Sequence, residues 1–181
     1  MEPYRYITGT VLPVPDREAL LQVPTMHLPW CFGCGPDNRE GLGLRPRFVD
    51  DRVEAEIRFA PRFQGGPGLV HGGAVSAFFD DLMGFVMMAH QRPAVTARLE
   101  TNFLRPIPLG VTLRGQAWLS DQEGRKMWAE AVGEDEQGKR YVEAKALFLP
   151  VMAEHFADTM KYMDPGHAAK LSRYERDEYY P

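Results

Sequence analysis

The stretch Val70-His71-Gly72-Gly73-Ala74-Val75-Ser76-Ala77-Phe78-Phe79-Asp80-Asp81, running on to Ala89, decides how this chain is read. Its apolar residues, from Ala74, Val75, Ala77, Phe78 and Phe79 to Leu82, Met83, Phe85, Val86, Met87 and Met88, leave a helix there almost no polar face. A helix hydrophobic all round is normally buried. Two carboxylates, Asp80 and Asp81, stand in the middle of it. Burying a carboxylate costs free energy unless it is paired, and its pKa is displaced. At the mouth of the helix, glycines leave backbone N–H groups uncovered, where they can bind an oxyanion. The segment therefore offers a carbonyl-polarising terminus and a candidate base or nucleophile.

Spacing sets a constraint on that pair. His71 and Asp80 point to roughly opposite faces of a helix and lie about 13 Å apart along its axis. Gly72 and Asp80 are about 12 Å apart. A helix unbroken from Gly72 to Ala89 cannot bring both to one reacting atom. A site that uses both draws one of them from a second copy across a two-fold axis.

The 181 residues are expected to form one domain with extensions: 1–30, a core over 31–151, and a helical tail over 152–181. A hydrophobic content of 44% suffices for a core. The net charge of −4, with no basic block, gives no nucleic-acid footprint. The longest apolar run, near Phe78–Ala89, is interrupted by Asp80 and Asp81, so no membrane partner is expected. The N-terminus lacks the apolar core of a signal peptide. Two cysteines give no disulfide framework, which favours a reducing, cytoplasmic setting.

Around the helix the pattern is that of strands. Leu44–Val49 and Arg52–Phe59 read as a hairpin about Asp50-Asp51. After the helix come Ala94–Leu104, Val111–Leu119, Lys126–Glu134 and Arg140–Val151. Pro106 and Pro108 break the first from the second. Asp121–Gly124 and Asp135–Gly138 carry turn chemistry. A short helix is expected near Arg17–Val23, and the apolar spacing of Met152, Phe156, Met160 and Met163 predicts a tail helix that stops at Asp164-Pro165-Gly166. Two strands, a long apolar helix and an antiparallel meander make an α+β chain, a sheet wrapped around one buried helix.

This order resembles the hotdog fold, and His-Gly-Gly with an Asp nine residues on resembles the PaaI-type acyl-CoA thioesterases. Cys31-Phe32-Gly33-Cys34-Gly35-Pro36-Asp37-Asn38 with Gly41-Leu42-Gly43-Leu44 is similar to the entry segment of a subgroup of that family. Gln64-Gly65-Gly66-Pro67-Gly68 resembles its pre-helix loop, and Thr96-Ala97-Arg98-Leu99 through Leu109 its central strand and exit. The resemblance covers about residues 31–150. It implies that Asp80 is the nucleophile or general base and that the Gly72 N–H, beside Gly73, polarises the thioester carbonyl. It implies that His71 orients the thioester or holds the loop, and that Thr96 positions the water. Gln64 would be the pre-helix polar residue, one place further from His71 than the Asn of some relatives.

Other residues have plainer readings beside sharper ones. Asp81 is expected to be a structural hydrogen-bonder or partly exposed. His71 also suits a helix cap. Cys31 and Cys34 resemble a redox pair, but the surrounding glycines disfavour the helix such a pair needs. With His27 they offer three metal ligands where structural zinc takes four. No metal is therefore expected, and the thiols pack in a tight loop. Arg98 and Arg105 are candidates to bind the phosphates of a nucleotide tail, Arg105 the better placed.

The expected activity is hydrolysis of an acyl-CoA thioester to a carboxylate and free CoA. No cofactor is expected, CoA being part of the substrate. The expected assembly is a homodimer or a dimer of dimers. The alternatives are an acyl-CoA or acyl-ligand binding protein without turnover, a hydrolase of acyl groups on a carrier protein, and a hotdog enoyl-CoA hydratase or dehydratase. The last carries a His five residues after an Asp, a spacing that none of the five histidines here has.

Overall fold

The computed structural model describes residues 7–20, 27–152, 154–157 and 159–169. Its centre is the helix α2, Gly72–Ala89, unbroken over the 18 residues expected. A six-stranded antiparallel sheet curls around it. The strands are β1 (Arg47–Val49), β2 (Arg52–Arg58), β3 (Ala94–Phe103), β4 (Thr112–Glu123), β5 (Lys126–Glu134) and β6 (Arg140–Pro150). A short α1 spans Arg17–Leu20, and the rest of the helix expected as far as Val23 lies outside the described residues.

By length and composition α2 meets the minimum for a membrane span. Here it is core: nine of its side chains, including Phe78, Phe79, Leu82, Met83 and Phe85, are buried. The sheet face beneath it is made of small residues in cross-strand rows. Gly115 pairs with Gly133, Ala117 with Ala131 and then Ala144, and Leu119 with Ala129 and then Ala146. Large side chains on the helix and small ones on the strands let the two surfaces approach. A Cβ at Gly115 would stand 2.7 Å from Leu82 and from Phe78, and one at Gly133 would stand 2.7 Å from Phe79. Gly115→Val is therefore expected to overpack the core and cost about 1–3 kcal/mol. A thermal melt reads this, at about 2–4 °C per kcal/mol for a chain of this size. An unchanged melting temperature would mean that helix and sheet are not in the contact described.

The strand order is β1-β2-β4-β5-β6-β3, which corrects the expected consecutive meander. β4, β5 and β6 follow one another, but β3 lies at the far edge beside β6, and β4 sits beside β2. Pro106 and Pro108 in the β3–β4 connection remove two amide donors. The chain there crosses over instead of folding back as a hairpin. β1 is shorter than expected because Pro46 cannot donate to the ladder and the Arg45 guanidinium is turned back onto the carbonyls of Cys34 and Leu44, at 2.6 and 2.9 Å. Asp50, at φ 52°, makes the β1–β2 turn. β4 runs through Asp121 to Glu123, so its turn falls at Gly124.

Residues 7–14 of the N-terminal extension lie on the sheet. Leu12 N–H bonds Leu119 O at 2.8 Å. Thr8 N–H reaches the buried Glu130 carboxylate at 2.8 Å, which Lys145 pairs at 3.1 Å. The expected tail helix is broken into α3 (Glu154–Ala157) and a turn of 3-10 helix over Met160–Tyr162. The Thr159 hydroxyl competes for the chain there, donating to Phe156 O at 2.8 Å. Met152, Phe156 and Met160 are exposed. Asp164-Pro165 starts a helix instead of ending one: residues 165–169 are helical and Asp164 Oδ1 accepts from His167 N–H at 3.1 Å. An Asp cap followed by Pro in the first helical position is a start signal, and it prevails here over the breaking tendency of Pro165-Gly166.

Candidate active site

Asp80 sits at the middle of α2, half-buried, and accepts a hydrogen bond from the Thr96 hydroxyl at 2.9 Å. Thr96 comes from β3 of the same chain. The register of β3 against β6 shifts between Thr96 and Arg98, a bulge that inserts Ala97. Bulges bend an edge strand and re-aim its side chains. Burial pushes the Asp80 carboxyl above the ordinary carboxylate value of 3.8, against the pull of the Thr96 hydrogen bond. A carboxylate raised this way accepts a proton more readily near neutral pH.

The helix mouth is held by His71. It is the N-cap, and its Nδ1 accepts from Gly73 N–H at 2.9 Å. That engages Gly73, while Gly72 N–H makes no hydrogen bond among the described residues. Gly72 opens on a pocket of about 310 Å³ that it lines with Val75, Phe103, Arg105 and Ile107. Phe103 packs directly over it, 3.3 Å from where a Cβ would stand. Arg105 is exposed at the rim and its guanidinium donates to the carbonyl of Arg140. Arg98 lies elsewhere, exposed and ion-paired with Glu100 at 2.5 Å. Gln64 braces the pre-helix loop: its carbonyl accepts from Gly68 N–H at 3.4 Å, and its backbone bridges to Val70. The structure thus brings Asp80 to Thr96, and His71, Gly72, Gly73 and Arg105 to the helix mouth. Asp80 stands seven to nine residues along the chain from Gly73, Gly72 and His71.

A second cluster lies one residue on. Asp81 turns away from Asp80 and meets the loop that carries Cys31 and Cys34. Its Oδ1 is 3.1 Å from His27 Nδ1 and 3.8 Å from Cys31 Sγ. Cys31 and Cys34 place their sulfurs 3.9 and 3.5 Å from the same His27 nitrogen. His27 stacks on Phe85 at 4.6 Å, and Gly33 passes so close to Asp81 that a Cβ would lie 2.2 Å from its carboxyl carbon. Burial opposes charge on His27, but the hydrogen bonds to Asp81 and Cys31 outweigh it and raise its pKa to about 9. Hydrogen bonding from Cys34 and His27 pulls the Cys31 thiol down, and the shared bond with burial pushes Cys34 up. The count of three metal donors is corrected to four, the fourth being Asp81. The signal available in the sequence was an unexplained acid in an apolar helix. What hid it is its distance of 50 positions from Cys31.

An antiparallel sheet curled around a single central helix is the hotdog architecture. Comparison with known proteins agrees. Residues 67–142 match the profile of the thioesterase superfamily. Acyl-coenzyme A thioesterase THEM4 of Mus musculus is 34% identical over 122 residues, covering 64% of this chain and 52% of that protein. A thioesterase superfamily protein of known structure superposes with a TM-score of 0.61 at 28% identity, over 64% of this chain and 60% of that one. The PaaI protein of the E. coli phenylacetic acid degradation operon shares the fold, with a TM-score of 0.57 at 19% identity, over 61% of this chain and 81% of its own. The chain spans about half the length of the curated relatives it matches.

Proposed function

We propose that this protein hydrolyses acyl-CoA thioesters, with Asp80 as the general base. The observation that carries the reading is the Asp80–Thr96 pair: a carboxylate raised by burial, oriented by one hydroxyl, on the helix whose free N-terminal amide opens on a pocket. Asp80 takes a proton from water as its oxygen attacks the thioester carbonyl. The carbonyl oxygen becomes an oxyanion held by a Gly72 N–H. Collapse breaks the C–S bond, and the proton passes from Asp80 to the leaving thiolate. The products are a carboxylate and free CoA. Arg105 at the pocket rim suits a phosphate of the CoA tail.

Because Gly72 and Asp80 lie about 12 Å apart on one helix, the oxyanion donor comes from a second copy. The sheet offers the means. β3 is an edge strand of ten residues, and edge strands present unpaired backbone groups to a partner. Two free thiols suit a reducing compartment such as the cytoplasm.

A thiol-release assay over a panel of acyl-CoAs tests the reading, and no turnover with any chain length or aromatic acyl group overturns it in favour of a binding protein. The pH profile adds a sharper check. The acid limb of kcat/KM is expected above the ordinary carboxylate range, because Asp80 must be ionised to act and burial raises its pKa. Thr96→Val removes a hydrogen bond that favours the charged form, so the limb moves to higher pH. A limb that stays in place in Thr96→Val would assign the base to another group.

A further inference from the structure

We propose that His27, Cys31, Cys34 and Asp81 form a structural zinc site that ties the 27–34 loop to the centre of α2. Each residue offers one donor, and the four donor atoms lie within 4.8 Å of one another. The set is two sulfurs, one imidazole nitrogen and one carboxylate oxygen. That mixture suits Zn²⁺, and four protein ligands make a closed structural site.

Four of the six separations between the donor atoms are near the edges of a tetrahedron. With Zn–S bonds of about 2.3 Å and Zn–N or Zn–O bonds of about 2.05 Å, the edges would be about 3.8 Å for S···S, about 3.6 Å for S···N and S···O, and about 3.3 Å for N···O. The structure has 3.5 and 3.9 Å for the two S···N edges, 3.8 Å for S···O and 3.1 Å for N···O. The same groups also lie within hydrogen-bonding reach of one another, the N···O pair at an ordinary hydrogen-bond length. A common centre among the four donors accounts for these four separations together.

Two further observations point to a cation. Asp81 Oδ2 is buried and has no hydrogen-bond partner, while Asp81 Oδ1 faces the cluster. A buried carboxylate oxygen with no hydrogen-bond partner costs free energy. One sulfur is also held as a zinc-bound thiolate is, by a backbone amide: His27 N–H reaches Cys34 Sγ at 3.2 Å. A redox pair fits less well. Cys31 lies in a run of turns and not at a helix N-terminus, and redox exchange gives no role to His27 or Asp81.

The site would fix a long loop on the helix face formed by Asp81, Gly84 and Phe85. It does so at the residue next to Asp80, so the metal would set the rotation of α2 where the proposed base projects. Its ligands come from the loop and from the helix, so metal affinity is gained only as the two dock.

The experiment is metal analysis of the full-length protein, purified without an affinity tag under reducing conditions. About one zinc per chain is expected. Asp81→Asn and Cys34→Ser should each weaken zinc at least about tenfold in competition with a chromophoric chelator. Wild-type protein reconstituted with Co²⁺ should show the intense visible bands of a tetrahedral ion with thiolate ligands. If the variants fail to fold, the cobalt spectrum and the zinc stoichiometry of the wild type decide alone. Metal-free protein whose reduced form takes up neither ion overturns the proposal. So does zinc retained at wild-type affinity by a folded Asp81→Asn, or a Cys31–Cys34 disulfide as the purified state. These readouts do not depend on thioester hydrolysis, so either reading can fail without the other.

Discussion

Replacing Asp80 by asparagine is expected to lower turnover at least about 10²-fold, the scale of a lost general base. Asparagine keeps the shape, and its carbonyl oxygen still accepts from the Thr96 hydroxyl. It removes a charge that burial disfavours, so the melting temperature should hold or rise. A large fall in kcat with the fold intact separates a chemical role from a structural one. Near-wild-type hydrolysis by Asp80→Asn would remove Asp80 from the mechanism.

The second large effect is a gain. Gly72 is the first residue of α2, where proline is well tolerated, and His71 before it already has the extended backbone that a following proline requires, with φ −66° and ψ 130°. Gly72→Pro therefore deletes one N–H and little else, the Phe103 ring giving way by a few tenths of an ångström. Loss of an oxyanion donor costs about 10²–10³ in kcat. Each single variant is nearly inactive. Mixed and allowed to re-associate, Asp80→Asn and Gly72→Pro chains form hybrid dimers in half of all pairings. Each hybrid holds one site with both groups intact, so the mixture should recover about a quarter of wild-type activity. Verified hybrids with no recovered activity would sink the shared site, and so would a fully active monomer in sedimentation.

Much of the fold was legible because its signals are local. An apolar stretch with two acids and a glycine mouth states both the extent of α2 and the oddity of Asp80 within it. The β5 strand was read to the residue because Asp–Gly turns bound it. What escaped depends on partners distant in the chain. Nothing near Ala94–Phe103 says that it pairs with β6 at the far edge, since any alternating strand suits either neighbour. The Asp164-Pro165 pair has two local meanings, and only the chain beyond it chooses. The fourth donor of the cysteine cluster, Asp81, is plain in the sequence as an acid, but its role is made by docking a loop onto a helix.

The strand order also carries a cost in time. α2 is complete at Ala89, while β6, the last strand to close over it and the partner of β3, ends at Pro150. Ribosomes add about 5–20 residues per second, so Phe78, Phe79 and Leu82 wait about 3–12 s for the glycine hollow that receives them. During that interval the nascent chain displays its most apolar helix without a sheet to cover it. Yield of soluble protein should therefore depend on the speed of translation between residues 90 and 150 and on the chaperones that meet the chain there.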